Sequence, residues 1–583
     1  MLRRAQPLRR QFQHPLIKLR PSTRLQRRAP FLASYSPACP PTRPHTPARR
    51  LRYTKPQTSG FGFWTVAIVA TVSIGGALLV PLTRSASDTE ALKPLPSAQS
   101  AAQDLTDSYL AMPPNTPAGR PGTLTPDQEK KLRELWAIVM KVFSGDAGSE
   151  EANGTATNGH DDATAPDAAP ATDGKKDKKR SRLNVFKRNK GDKAADDKAP
   201  SPSDSLSSID VSKLNLAADD DKFGQTAAYK AALANIPPEE LRRAFWGMVK
   251  HDHPDALLLR FLRARKWDVE KALIMLISAM QWRVKEASVD DDIMKNGELA
   301  ALETSKSDAK NKKDAEDFMT QLRMGKSYLH GLDIEGRPIC HVRARLHKAG
   351  DQSDETLERF TVYTIETARM LLRPPIDTAT VIFDLTDFSM ANMDYTPVNF
   401  MIRCFEANYP ESLGTVLVYR APWVFNAIWA IVKGWLDPVV ASKVHFPKNV
   451  QDLSNFIPKS QIPTELGGQE QWEYKYVEPV PGENDKMKEE GPRKELQTER
   501  QCVIDKYETS VVEWLRAGDS ASHDDRRKER DALAEQLRQN YWKLDPYIRA
   551  RSLYDRIGVI QSEGKLDFYP QASAAKTSAD DVD

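Results

Sequence analysis

Between Ile339 and Phe446, apolar runs of strand length alternate with stretches of helical periodicity. Strands separated by helices cannot pair as hairpins, so the pattern requires a mostly parallel sheet covered by helices, an α/β fold. The run ICHVRARL, Ile339 to Leu346, sets Cys340, Val342, Ala344 and Leu346 against His341, Arg343 and Arg345, as a half-buried strand does. TATVIFDL and GTVLVYRAP are apolar throughout and read as central strands, and VHF at Val444 to Phe446 closes the series. LERFTVYTIETARMLL and YTPVNFMIRCFEANYP have the spacing of amphipathic helices.

A smaller all-helical part precedes the sheet. Leu257, Leu258, Phe261 and Leu262 make one apolar face, and Asp268 is placed to cap a second helix. In that helix Val269, Leu273, Leu276 and Met280 recur at i, i+4, i+7 and i+11. His253-Pro254-Asp255 reads as a turn and helix start. An earlier helix is expected over Leu124–Phe143, where Leu132, Leu135, Trp136 and Val139 share a face. Residues 144–222 lose all periodicity, include the basic run KKDKKRSR, and predict a disordered insertion within a helical subdomain spanning 124–288. Residues 484–570 predict a charged helical extension, with an aromatic cluster in NYWKLDPYIRARSLYDRIG; it is expected to pack on the domain, with a partner-binding helix as the alternative.

The net charge of +4 is misleading, because residues 1–60 carry 12 Arg and 2 Lys with no acidic residue. The remainder holds 70 basic and 80 acidic residues, about −10, which argues against a nucleic-acid partner. The arginine-rich opening has the composition of a mitochondrial transit peptide. Phe61 to Leu82 is free of charge over 22 residues, about 33 Å as a helix, and predicts one transmembrane helix. Basic residues precede it and Asp88 follows, so the expected topology is a single-pass inner-membrane protein facing the intermembrane space. An outer-membrane anchor facing the cytosol is the alternative. Residues 83–123 read as a disordered tether. The four cysteines stand far apart without a CxxC pair, so no zinc site or disulfide framework is indicated and free thiols are expected. No GxSxG, zinc-ligand spacing or P-loop is present, and no enzyme is expected.

LLRFLRARKWDVEKA, GLDIEGRPI, VIFDLTDFS, ANYPESLGTVLVYRAPWVF and LDPVVASKVHF occur in this order and resemble the CRAL-TRIO lipid-transfer family. The resemblance covers Leu124–Phe143 and about Tyr229 to Tyr476, and suggests a fungal-like, mitochondrial, membrane-anchored member. It implies a helical subdomain followed by a lipid-binding domain over 315–476, whose sheet floors an apolar pocket shut by a gating helix. The gate would be PWVFNAIWAIVKGWL, Pro422 to Leu436. Phe425, Ile428, Trp429, Val432 and Leu436 fall on one face of it, and Val424, Ile431 and Trp435 on a second. Trp429 and Trp435 are the side chains expected at a membrane.

By the same resemblance Arg265, Lys266, Glu411 and Lys443 stand where phosphatidylinositol-transferring members hold or support the inositol phosphate, and Ser389 is also kept. Ser412 and Val440 replace two phosphate contacts of those members, and Phe405 replaces a serine that helps hold choline lipid. The implied function is non-enzymatic binding and transfer of a lipid between membranes, foremost phosphatidylinositol. The alternatives are a lipid sensor or presenting scaffold, or a carrier of a more apolar ligand such as a sterol precursor or isoprenoid. No cofactor or metal is expected beyond the bound lipid, and the expected partners are lipid and membranes.

Overall fold

In a computed structural model, residues 116–145, 210–517 and 523–570 are described, all within one unit, Thr83–Asp583. The expected transit peptide and the expected span over Phe61 to Leu82 therefore lie outside the described residues. Among the described residues no helix is long and apolar enough to cross a membrane.

The chain begins with a helix whose ends its sequence dictates. In α1 (Pro126–Ser144), Thr125 and Gln128 close a capping box, Pro occupies the first turn, and Gly145 ends it in the left-handed region. It packs with α2 (Gln225–Asn235), α3 (Pro238–Val249), α4 (Pro254–Ala264) and α5 (Val269–Gln281) around one core. His253 caps α4, and Asp268 caps α5 by accepting from the Lys271 N–H. Asp255 is 4% exposed yet sits deep in this bundle because three donors meet its carboxylate. They are the Trp136 indole at 2.7 Å, the Tyr507 hydroxyl at 2.8 Å and the Arg530 guanidinium at 3.2 Å.

Two segments expected to be disordered join the fold where they are described. Val211, Leu214 and Leu216 are buried in the helical core, and the Tyr229 hydroxyl donates to the Val211 carbonyl at 2.7 Å. Three apolar side chains within six residues suffice to dock the end of the insertion. At the end of the tether, Arg120 grips the Asp377 carboxylate with two bonds of 3.2 and 3.0 Å.

Two further helices, α6 (Lys295–Ser305) and α7 (Lys312–Met324), lead into a five-stranded sheet of order β1-β2-β3-β4-β5. β1 (Ser327–Leu332) pairs antiparallel with β2 (Pro338–Arg343). β3 (Ala379–Asp384), β4 (Leu413–Tyr419) and β5 (Val444–His445) continue in parallel. The crossovers are α8 (Asp354–Met370), α9 (Tyr395–Arg403) and the segment carrying α10 (Phe425–Lys433) and α11 (Pro438–Ser442).

β1 is an addition to the expected strands. GLDIEGRPI is a hairpin turn, with Asp333 accepting from the Glu335 and Arg337 N–H groups at 2.9 Å each. β2 ends at Arg343, and Ala344–Leu346 turn as a short 3₁₀ segment, not as strand. His341 is not on a solvated face. It is buried, its ring stacked 4.8 Å from that of Tyr328 and its Nε2–H donating to the His330 carbonyl.

Both sheet faces are covered. Ile339, Ile382, Leu417 and Tyr419 meet Leu453, Ile457, Ile462 and Leu466 on one side. Cys340, Val381, Val416 and Val418 point to the other. Cys340 and Cys404 are buried free thiols, as expected.

The C-terminal helices α12 (Glu490–Arg516) and α13 (His523–Ile548) pack on each other and on the domain. Tyr507 and Trp514 are fully buried in the helical core, while Tyr541 and Trp542 reach the cluster behind the sheet.

Candidate functional site

The sheet face carrying Val381, Val416 and Val418 does not meet a flat layer of helix. An apolar cavity of about 240 Å³ lies above it, floored by all five strands and roofed by α8, α9 and α10. Of the predicted gate stretch, Phe425–Lys433 form α10. Phe425, Ile428, Trp429, Val432 and Leu436 all line the cavity. Asn426, Ala430 and Lys433 face solvent.

The second gate face needs correction. Trp435 does not line the cavity but packs edge-on against Tyr395, ring centroids 5.4 Å apart. Trp429 packs against Phe446 at 5.1 Å. Neither is the outward-facing tryptophan: Trp423, just before the helix, is 86% exposed, and Ile431, Val439 and Phe446 are exposed beside it in sequence. Trp423 falls within the apolar stretch, but a helical wheel begun at Phe425 leaves it out.

The end of α10 is tied down. Gly434 follows the last turn, and Asp437 caps α11 by accepting from the Val439 N–H at 2.7 Å. Glu406 accepts from the Asp437 N–H at 2.7 Å and from Lys222 Nζ at 2.8 Å, and Lys222 also donates to the Trp435 carbonyl. These bonds fix the segment's far end and leave the Pro422 side, with its bare Trp423, less constrained.

Of the expected headgroup residues the structure brings together two. Lys443 and Glu411 lie where β5 and β4 begin, Nζ to Oε2 3.9 Å, each side chain 23% exposed. Lys443 also donates to the Leu413 carbonyl at 2.9 Å. Glu411 takes a positive φ of 53° in the YPES turn, and its carbonyl accepts from Arg260 at 2.7 Å. Arg260 is an addition that sequence reasoning missed, being only 8% exposed inside the otherwise apolar LLLRFL.

Arg265 bonds Gln225 instead, and burial lowers its basicity against the acidic Asp220, Asp437 and Glu406 around it. Lys266 is exposed, and none of the described bonds joins Arg265 or Lys266 to Glu411 or Lys443. Ser389 is exposed beyond the C-terminal end of β3, capping a short turn with Asn392, at the opposite end of the strands from Lys443. It cannot share one headgroup with that lysine.

The remaining polar lining sits at the other sheet edge. Lys326, just before β1, is 7% exposed and donates to Gln352 at 2.7 Å. His347 Nε2 bonds Asp394 at 3.2 Å. Among the described residues no group of His, Cys, Asp and Glu has a metal-holding arrangement.

Comparison with known proteins gives two family matches, the CRAL/TRIO domain over residues 322–468 and the CRAL/TRIO N-terminal domain over 228–278. A CRAL-TRIO domain-containing protein of Schizosaccharomyces pombe is 41% identical over 446 residues, covering 76% of this chain and 92% of its own length. The phosphatidylinositol transfer protein CSR1 of Eremothecium gossypii is 37% identical over 451 residues, covering 76% of this chain and 98% of its own. The Sec14 cytosolic factor of S. pombe is 29% identical over 235 residues, 37% of this chain and 74% of that protein.

Proposed function

The chain belongs to the CRAL-TRIO family, and on that premise we propose that it carries a phospholipid between membranes, with phosphatidylinositol as the ligand. The observation that supports this reading best is the single apolar face of α10, all five of whose predicted members line the cavity. The Lys443–Glu411 pair stands at the strand starts beside it. Names of relatives, a phosphatidylinositol transfer protein among them, point the same way.

Lipid exchange follows from simple energetics. Withdrawing an acyl chain from a bilayer forfeits about 0.8 kcal/mol per methylene, which an apolar cavity returns. Swinging α10 open in water would strip partners from Ile428, Val432 and their neighbours, at roughly 1.5–3 kcal/mol for each large side chain. At a bilayer the same face meets hydrocarbon, so opening is favoured there and closure elsewhere. The exposed Trp423, with an apolar body and a polar N–H, suits the interface where this occurs.

The headgroup end is built to be rearranged. A half-open ion pair at 3.9 Å is worth only about 0–1 kcal/mol, so Lys443 is free at little cost to meet a phosphodiester while Glu411 accepts inositol hydroxyls. We place the domain beside a mitochondrial membrane on an anchor at Phe61 to Leu82, the reading that the arginine-rich opening supports.

The test is transfer of labelled phosphatidylinositol from donor to acceptor vesicles. The full chain should accelerate it, and Lys443→Ala should reduce it by about tenfold while leaving the folded state intact. No acceleration by the unaltered chain would end the proposal, and an unchanged rate in Lys443→Ala would end the headgroup assignment.

A further inference from the structure

Lys326 poses a problem that the phosphatidylinositol reading does not solve. Its side chain is 7% exposed and lines the apolar cavity, yet among the described residues no carboxylate bonds it. Its one acceptor is the neutral Gln352 oxygen at 2.7 Å, although an ammonium has three donors to place. The nearby Asp394 is already engaged, accepting from His347 at 3.2 Å and from the Thr396 N–H at 3.0 Å. Burial pushes the Lys326 ammonium down to about 8, and Asp351, Asp394 and Asp317, near it but not bonded to it, offset that only in part.

The shape narrows what anion fits. The cavity floor runs from Val444 on β5 to Ser327 on β1, crossing four strand spacings, about 19 Å at ~4.8 Å each. It is long but its volume, about 240 Å³, falls below the ~300–1,000 Å³ typical of sites for drug-sized ligands. Lys443 and Lys326 stand at opposite sheet edges, beside β5 and β1.

We infer that the Lys326 end of the cavity is a carboxylate site, which receives a free long-chain fatty acid laid as a single chain across the sheet floor. The carboxylate would accept a charge-assisted bond from Lys326 and face His347, while the chain covers Val342, Phe383 and Val418. This goes beyond the phosphatidylinositol reading and uses only the cavity, not the Lys443–Glu411 pair.

The test is displacement of a fluorescent fatty acid from the full chain in detergent, comparing palmitate with methyl palmitate, which has the same chain and no charge. The unaltered protein should bind palmitate at least tenfold more tightly than the ester. Lys326→Met should abolish that preference and Lys326→Arg retain it. Equal affinity for acid and ester in the unaltered protein, a comparison needing no variant, would overturn the inference, as would a preference that survives in Lys326→Met. Vesicle transfer of phosphatidylinositol in the same preparation separates the two readings. No transfer with an intact acid preference removes the earlier reading alone, and transfer without the preference removes this one alone.

Discussion

Glu366 is fully buried, and three cations converge on it: Arg283 at 2.6 Å, Lys250 at 3.3 Å and Arg369 at 3.3 Å. Because these come from the helical part and from α8, the cluster bolts the two halves of the molecule together. Glu366→Gln removes the carboxylate the three share, while Asp290 still holds Arg283 and Lys250 and Asp252 still holds Arg369, and should cost about 1–3 kcal/mol, measured as a lowered urea midpoint. Two buried histidines set the acid limit. Burial holds both His251 and His341 down to about 3, and each donates its Nε2–H to a backbone carbonyl at 3.2 Å. The unfolded chain binds protons at these sites near pH 6.5, so their contribution is complete above that pH and is lost as pH falls towards 3. Stability should therefore decline from pH 6.5 downward by about 1.4 kcal/mol per unit for each histidine, and His341→Gln should flatten the slope in denaturant titrations across pH. The sequence could not show either histidine as buried. His341 alternates with apolar neighbours as a surface residue would, and only the covering Tyr328 from the unexpected β1 places it inside.

The elements were the most legible level, because period and capping are local. The two central strands, α5 with its Asp268 cap and the apolar face of α10 follow from spacing, and the structure has them; that this face turns to a cavity is what the family resemblance implies. What spacing cannot give is which of two apolar faces meets which neighbour. Spacing therefore puts Trp435 on the gate although it packs on Tyr395; Ser389, placed at a headgroup by the family resemblance, lies at the other end of the strands. The same limit hid Arg260 and Lys326, single cations whose meaning comes from long-range placement. Two outcomes belong to α10. Trp423→Ala removes an 86% exposed ring, so stability should change by no more than about 0.5 kcal/mol while vesicle co-sedimentation falls several-fold. Lys222→Ala frees Glu406 and the Trp435 carbonyl, so hydrogen exchange of the Leu436–Ser442 amides should accelerate without a change in global stability.

At the scale of the whole molecule, the C-terminal helices are part of the core rather than an appendage. Trp514 and Tyr507 are fully buried among α1, α3 and α4, and the Tyr507 hydroxyl helps satisfy Asp255. A chain ending at residue 484 would expose that core and leave the Asp255 carboxylate short of two of its three partners. It should be recovered as aggregate, with no cooperative thermal transition. The aromatic cluster legible in the sequence lies at residues 540–558 and does not include Tyr507 or Trp514, whose burial rests on contacts with residues more than 200 positions away.

The central claim, that the space between the sheet and α10 holds a lipid, is most directly tested by mass spectrometry of lipids extracted from the purified full chain, alongside Val418→Phe, which fills the cavity floor. The account predicts lipid enriched over bulk membrane in the unaltered protein, phosphatidylinositol foremost, and its loss from a folded Val418→Phe. No enrichment, or an identical lipid profile in the filled variant, would contradict it.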